Sequence, residues 1–192
     1  SFYMETHEMT PEKSLQIIND AIEKSRRDFE KNAGYPMIIW GTVVLIFAIA
    51  VFIMLWKTGN ASWNFLWFGI PVTGWPISSI LLKDRCRNGG KSFLSRSIGH
   101  IWITYGIFAT VLCVVFAFTA PHLTGYITAV LLGFSAAITG LVPKNRFITA
   151  GGFLTGLGCT IAMFFVQSWI TPLFFAVGAV LNLIIPGVMM NK

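Results

Sequence analysis

The sequence predicts an all-α membrane protein: six transmembrane helices arranged as three hairpins, preceded by one amphipathic cytoplasmic helix. Three observations predict it. The 192 residues are 55% apolar and 11% charged, with a mean hydropathy of +0.69, more apolar surface than one soluble core can hold. The charges are confined to short stretches between long uncharged runs. Thirteen of the 14 Lys and Arg residues then fall on one side of the predicted spans, with Lys57 on the other.

Residues 1–9, SFYMETHEM, lack the basic start and apolar middle of a signal peptide. Ser1–Tyr3 read as an expression scar, and the whole stretch as a disordered N-terminus. From Thr10 the chain begins a helix expected to occupy 10–34, about six turns, with Thr10 as N-cap, Pro11 at the first helical position and Gly34 as the stop. Leu15, Ile18, Ile22 and Phe29 recur at 3,4 spacing with Ser25 in the remaining step, and Asp20–Lys24 and Glu23–Arg27 are favourable i,i+4 pairs. An apolar face of this kind suits the membrane surface, the ends of the spans, self-association or a cytoplasmic protein partner.

Gly34, Tyr35 and Pro36 are expected to break that helix before the first span, 37–56. The turn KTGNAS leads to a second span at 63–82, in which FGIPVTGWP places Pro71 and Pro76 near the middle and so frees backbone groups that need partners inside the protein. After the basic loop, the uncharged stretch Ser97–Pro143 is too long for one span and divides at Ala120–His122 into 98–119 and 123–142. Lys144–Arg146 interrupts, and the remainder divides near Gln167–Trp169 into 147–167 and 171–189. The positive-inside rule then places both termini in the cytoplasm, and Trp56, Trp63, Trp67, Tyr126 and Trp169 fall at the opposite interface. Ala129, Gly133 and Ala137 in the fourth span, and Gly152 and Gly156 in the fifth, are small-residue steps that let helices approach. Their partner is either a neighbouring span or a second copy, a homo-oligomer through Gly152 and Gly156.

Several chemistries find no residues. All eight acids lie at positions 5–30 or at Asp84, so no span carries the carboxylate that proton coupling uses, and paired acids for hydrolysis are missing. His7, His100 and His122 are spread over different parts of the topology, and the three cysteines lack metal-ligand or disulfide spacing, so neither a metal site nor a cofactor is expected. GGKS at 89–92 resembles the end of a phosphate-binding loop, but Arg85 stands where that motif needs glycine. Basic charge concentrated beside apolar runs points to lipid rather than nucleic acid. Lys83, Arg85, Arg87, Lys91 and Arg96 are candidates to hold anionic lipid headgroups as well as to set topology, and Cys86 lies among them. Pro71, Thr73, Pro76, Tyr105 and Asn182 are the polar or backbone-freeing positions at depth. They are candidates to line a cavity for a small neutral or lipid-like molecule, Asn182 having an interhelical hydrogen bond as its simpler role.

Three stretches, SLQIINDAIEKSRRDFEKN, YPMIIWGTVVLIFAIAVFI and GHIWITYGIF, resemble a group of small bacterial integral membrane proteins with an N-terminal cytoplasmic helix and about six spans. The group has no assigned function. The resemblance implies a bacterial inner membrane and no site residues. Two functional expectations stand beside each other, both non-enzymatic: binding or transport of a small neutral or lipid-like molecule, and a regulatory or scaffold role in which the N-terminal helix docks a cytoplasmic partner.

Overall fold

The computed structural model describes residues 10–83, 93–120 and 123–190. Among these residues the secondary structure is helical throughout, in six helices: α1 (Pro11–Thr58), α2 (Gly69–Leu81), α3 (Phe93–Thr119), α4 (Thr124–Leu141), α5 (Arg146–Met163) and α6 (Thr171–Met190). All except α2 are long and apolar enough to cross a membrane.

α1 departs most from the expected boundaries. It starts as the sequence dictates, with Thr10 Oγ1 accepting from the Lys13 N–H at 3.4 Å and Pro11 in the first turn, but it does not stop at Gly34. The helix runs unbroken for 48 residues to Gly59, whose left-handed backbone (φ 63°) closes it by donating to Leu55 O at 2.9 Å. Pro36 removes one backbone donor, whereas ending a helix at the edge of an apolar phase would strand several. Gly34 is used for packing: a Cβ on Gly187 would fall 2.8 Å from the Gly34 carbonyl and equally close to Ile38, so the end of α6 rests directly on this stretch.

The second expected span is also built differently. Its first part, Ala61–Phe68, is a 3-10 helix opened by Asn60, whose side chain accepts from Ser62 N–H at 2.9 Å, and only from Gly69 is the helix α. The discontinuity thus lies at Phe68–Gly69 and not at the prolines. Pro71 occupies the first turn of α2, where its missing N–H costs little, and the Gly69 N–H donates to the carbonyls of Leu66 and Trp67.

Residues that touch across the helices pair in opposite chain order. Trp40 meets Gly74 and Phe47 meets Gly69 between α1 and α2; Gly41 meets Leu183 and Ile184, and Phe52 stacks on Trp169 at 5.7 Å, between α1 and the chain from Trp169 through α6. Cys113 meets Thr128 between α3 and α4, and Gly140 meets Thr149 between α4 and α5. At the end rich in aromatic residues, Ala48, Ala129, Met163, Phe175 and Ala176 form a buried core under Trp67 and Tyr126. Trp67 lies 5.2 Å from Phe175, and the Tyr126 hydroxyl donates to Met163 O at 3.1 Å.

Among the described residues, the α4–α5 contact is the closest helix approach at a glycine. A Cβ on Gly133 would sit 2.1 Å from Gly156 Cα, and one on Gly152 would sit 2.3 Å from Ala137 N. Of the two partners open to the small-residue steps, the neighbouring span is the one found. Gly152 and Gly156 are buried against α4 of the same chain. α3 is the most peripheral helix, since Ile98 is its only buried residue with a described side chain, and Ile103, Ile107, Val111 and Phe118 are all exposed.

Candidate functional site

Two features of the bundle bear on function: a polar pair buried between α5 and α6, and the part of α1 that leaves the bundle.

Each helix of the α5–α6 pair carries a short π-helical stretch, Leu154–Cys159 in α5 and Val180–Ile184 in α6. Such stretches widen a turn by one residue and disturb the regular backbone ladder. Thr155 and Asn182 occupy them, 2% and 3% exposed, and the Asn182 Nδ2 donates to Thr155 Oγ1. Each side chain seats on a glycine of the opposite helix. A Cβ on Gly178 would meet Thr155 Cγ2 at 2.8 Å, and one on Gly151 would meet Asn182 Oδ1 at 2.4 Å. The sequence therefore contains one arrangement twice, in opposite directions: Gly151 four residues before Thr155, and Gly178 four residues before Asn182. Asn182 Oδ1 makes no hydrogen bond among the described residues and abuts Gly151. The pair contains no titratable group, so it can align helices or accept a hydrogen bond but cannot move a proton.

The other residues proposed with Asn182 lie apart from it. Pro71 and Pro76 are on the exposed side of α2, and Thr73 is half-buried with its hydroxyl donating to Gly69 O of the same helix at 2.8 Å. Tyr105, on peripheral α3, packs edge-on to Trp102 at 5.6 Å, and neighbouring Thr110 donates to Gly106 O at 2.7 Å. Thr73, Tyr105 and Asn182 thus have separate partners. Thr155 is the member of the buried pair absent from the sequence expectations; the spacing of glycine and threonine four residues on does not single it out, since Gly69–Thr73 and Gly106–Thr110 share it.

Of the headgroup candidates, Lys83 and Arg96 are exposed at the ends of α2 and α3 that face the charged side, while Arg85, Arg87 and Lys91 lie outside the described residues. So do Cys86, the GGKS stretch, His7 and His122. His100 is exposed on α3, and the described residues contain no His, Cys, Asp and Glu cluster able to hold a metal.

Beyond Gly34, α1 continues about 35 Å away from the bundle. Leu15, Ile18 and Ile22 are 66%, 56% and 62% exposed and border a shallow depression of about 480 Å³ with Gln16 and Asn19. The direction of this stripe is set by helical geometry. Trp40 follows Ile22, and Val43 follows Ser25, by about five whole turns, so the exposed stripe continues the face of α1 on which Trp40 holds α2. α2 runs antiparallel along that face, so its end, with exposed Lys83 just beyond it, points toward the stripe. Its own charges cancel, five basic and five acidic residues between 10 and 34, and Glu23 pairs with Arg26 at 3.9 Å and Arg27 at 3.4 Å.

Compared with protein-family models, curated proteins and solved structures, the chain finds no match.

Proposed function

We propose that this is a non-enzymatic, multi-pass protein of the bacterial inner membrane, with three hairpins and both termini in the cytoplasm. In this reading α1 docks a cytoplasmic protein. One observation carries the reading: α1 is unbroken through Gly34–Pro36 and holds an exposed apolar stripe clear of the bundle. No loop separates the stripe from the span, which favours a docking role over a helix lying flat on the membrane surface. A second copy running parallel along the same face would meet α2, which already occupies that face lower down at Trp40 and Phe47. The occupant that fits is an amphipathic helix of another protein, laid along α1 in line with α2. Exposed Lys83 beneath the stripe and Arg96 on the same side form no ion pair among the described residues, and they favour an acidic end on that helix.

Site-specific photocrosslinking of the full chain in its native membrane tests this. A photoreactive side chain at Leu15, Ile18 or Ile22 is expected to give an adduct with an amphipathic segment that carries acids at one end, whereas the same group at Asp20 or Lys24 gives none. Adducts only with lipid or with another copy of this chain, or no stripe-specific adduct, would overturn the reading.

A second reading, binding or transport of a small neutral or lipid-like molecule, draws on the buried Asn182 Oδ1 and the facing π-helical stretches. A ligand retained in native mass spectrometry and lost in Asn182→Leu, with the docking adduct unchanged, would favour it.

A further inference from the structure

The turn between α4 and α5 contains a second small site, which neither the docking surface nor the buried polar pair uses. α4 ends with Lys144 N–H donating to Leu141 O at 3.0 Å and Asn145 N–H donating to Gly140 O at 2.8 Å. This wrap requires a left-handed residue, a place usually taken by glycine. Here Lys144 fills it with φ 58°, the only non-glycine residue with positive φ among those described. α5 then starts at once, because Asn145 Oδ1 accepts from the N–H groups of Phe147 and Ile148 at 3.1 and 3.3 Å. The first free donors of α5 are thereby satisfied by the protein itself, and the positive charge of the turn comes from side chains.

Lys144 and Arg146 border an open depression of about 370 Å³ with Leu141, Thr149 and Ala150. Both cations are exposed and form no ion pair among the described residues. From residue 31 to the end the sequence contains a single acid, Asp84, so little within the bundle can neutralise them. The flanks are apolar and uncovered: Leu141, Val142 and Phe147 are 55%, 42% and 68% exposed. A site with two cations that form no ion pair among the described residues, one of them a conformationally costly lysine, and with apolar shoulders calls for an anion attached to hydrocarbon.

We propose that this depression is a binding site for the phosphodiester of an anionic phospholipid, with Lys144 and Arg146 holding the phosphate and Leu141, Val142 and Phe147 lying along the acyl chains. The recognised chemistry is a phosphate oxyanion, and the apolar shoulders select the lipid over a soluble phosphate. The proposal is independent of the docking reading.

The test uses the full chain in nanodiscs of phosphatidylglycerol and phosphatidylcholine, followed by native mass spectrometry of the lipid retained. Lys144→Gly is the decisive variant, since glycine suits the left-handed position and the fold should melt at or above the parent temperature. Retained phosphatidylglycerol is expected to exceed phosphatidylcholine in the parent. It is expected to fall about fivefold in Lys144→Gly and in Arg146→Gln, and to be unchanged in Lys57→Gln, an exposed cation given no binding role. Equal retention in Lys144→Gly, or an equal fall in the Lys57 variant, would reduce the site to a general surface attraction and overturn the proposal. Displacement of the lipid by millimolar inorganic phosphate would assign the site to a soluble anion and overturn it as well.

Discussion

The two halves of α1 share one helix and one face but differ in what they bury. Between Gly34 and Leu55 that helix is packed on α2 and α6 through glycines at 41, 69, 74 and 187, and Ala48 and Val51 are fully covered. Between Leu15 and Ile22 the same face is open. The difference is not one of helix propensity, since neither half is interrupted. It lies in the partners: where the opposing helix offers glycine, a large side chain such as Trp40 has a seat, and where the opposing helix ends, an equally apolar side chain has none.

The largest expected effect is a break at the tightest contact, away from α1. Gly133→Leu puts side-chain carbon where the Gly156 backbone lies, and backbone cannot yield; a loss of about 3 kcal/mol or more, or failure to recover folded protein, is expected in a thermal or denaturant melt. Gly74→Val tests the packed half of α1 directly. Its added carbons meet the Trp40 ring, which can rotate, so a smaller loss of about 1–3 kcal/mol is expected, together with a change in Trp40 fluorescence. Asn182→Leu removes one buried hydrogen bond and costs about 1 kcal/mol. Because Thr155 is then the unsatisfied group, Asn182→Leu combined with Thr155→Val should recover part of that loss, and a strictly additive double variant would show that the two residues do not act as a pair. At the bottom of the scale, Ile18→Glu in the open half should change stability by no more than about 0.5 kcal/mol while abolishing the stripe-specific crosslink. A large destabilisation there would mean that the stripe is covered by this chain itself.

How much of this was legible from sequence follows the same division. Uncharged runs such as Leu123–Val142 and Thr171–Met189 announce helices because only a helix satisfies the backbone in an apolar phase, and the caps at Thr10 and Asn145 are local enough to read or to recognise once seen. Gly34 and Pro36 misled because their local preference for ending a helix is outweighed by packing with residue 187, more than 150 positions away in the chain. The 3-10 entry to α2 and the π-helical stretches are tertiary outcomes in the same sense. Asn182 was identifiable as the polar residue at depth, but its partner was not, because Thr155 resembles any other helix threonine until Gly178 is placed opposite it. The anionic site was hidden for a simpler reason: a lysine in a turn reads as a topology signal, and only the backbone angle at Lys144 shows the conformational cost of placing it there.

The unbroken helix also has a mechanical consequence. Because the helical assignment continues through Gly34–Pro36, α1 behaves as a lever with one half clamped by α2 and α6 and the other, of about equal length, free. A tilt of about 10° in the clamped part carries the far end of a ~35 Å arm through roughly 6 Å, close to one helical pitch. Small adjustments among the aromatic residues at the opposite end, where Phe52 stacks on Trp169, would therefore be read out at Leu15.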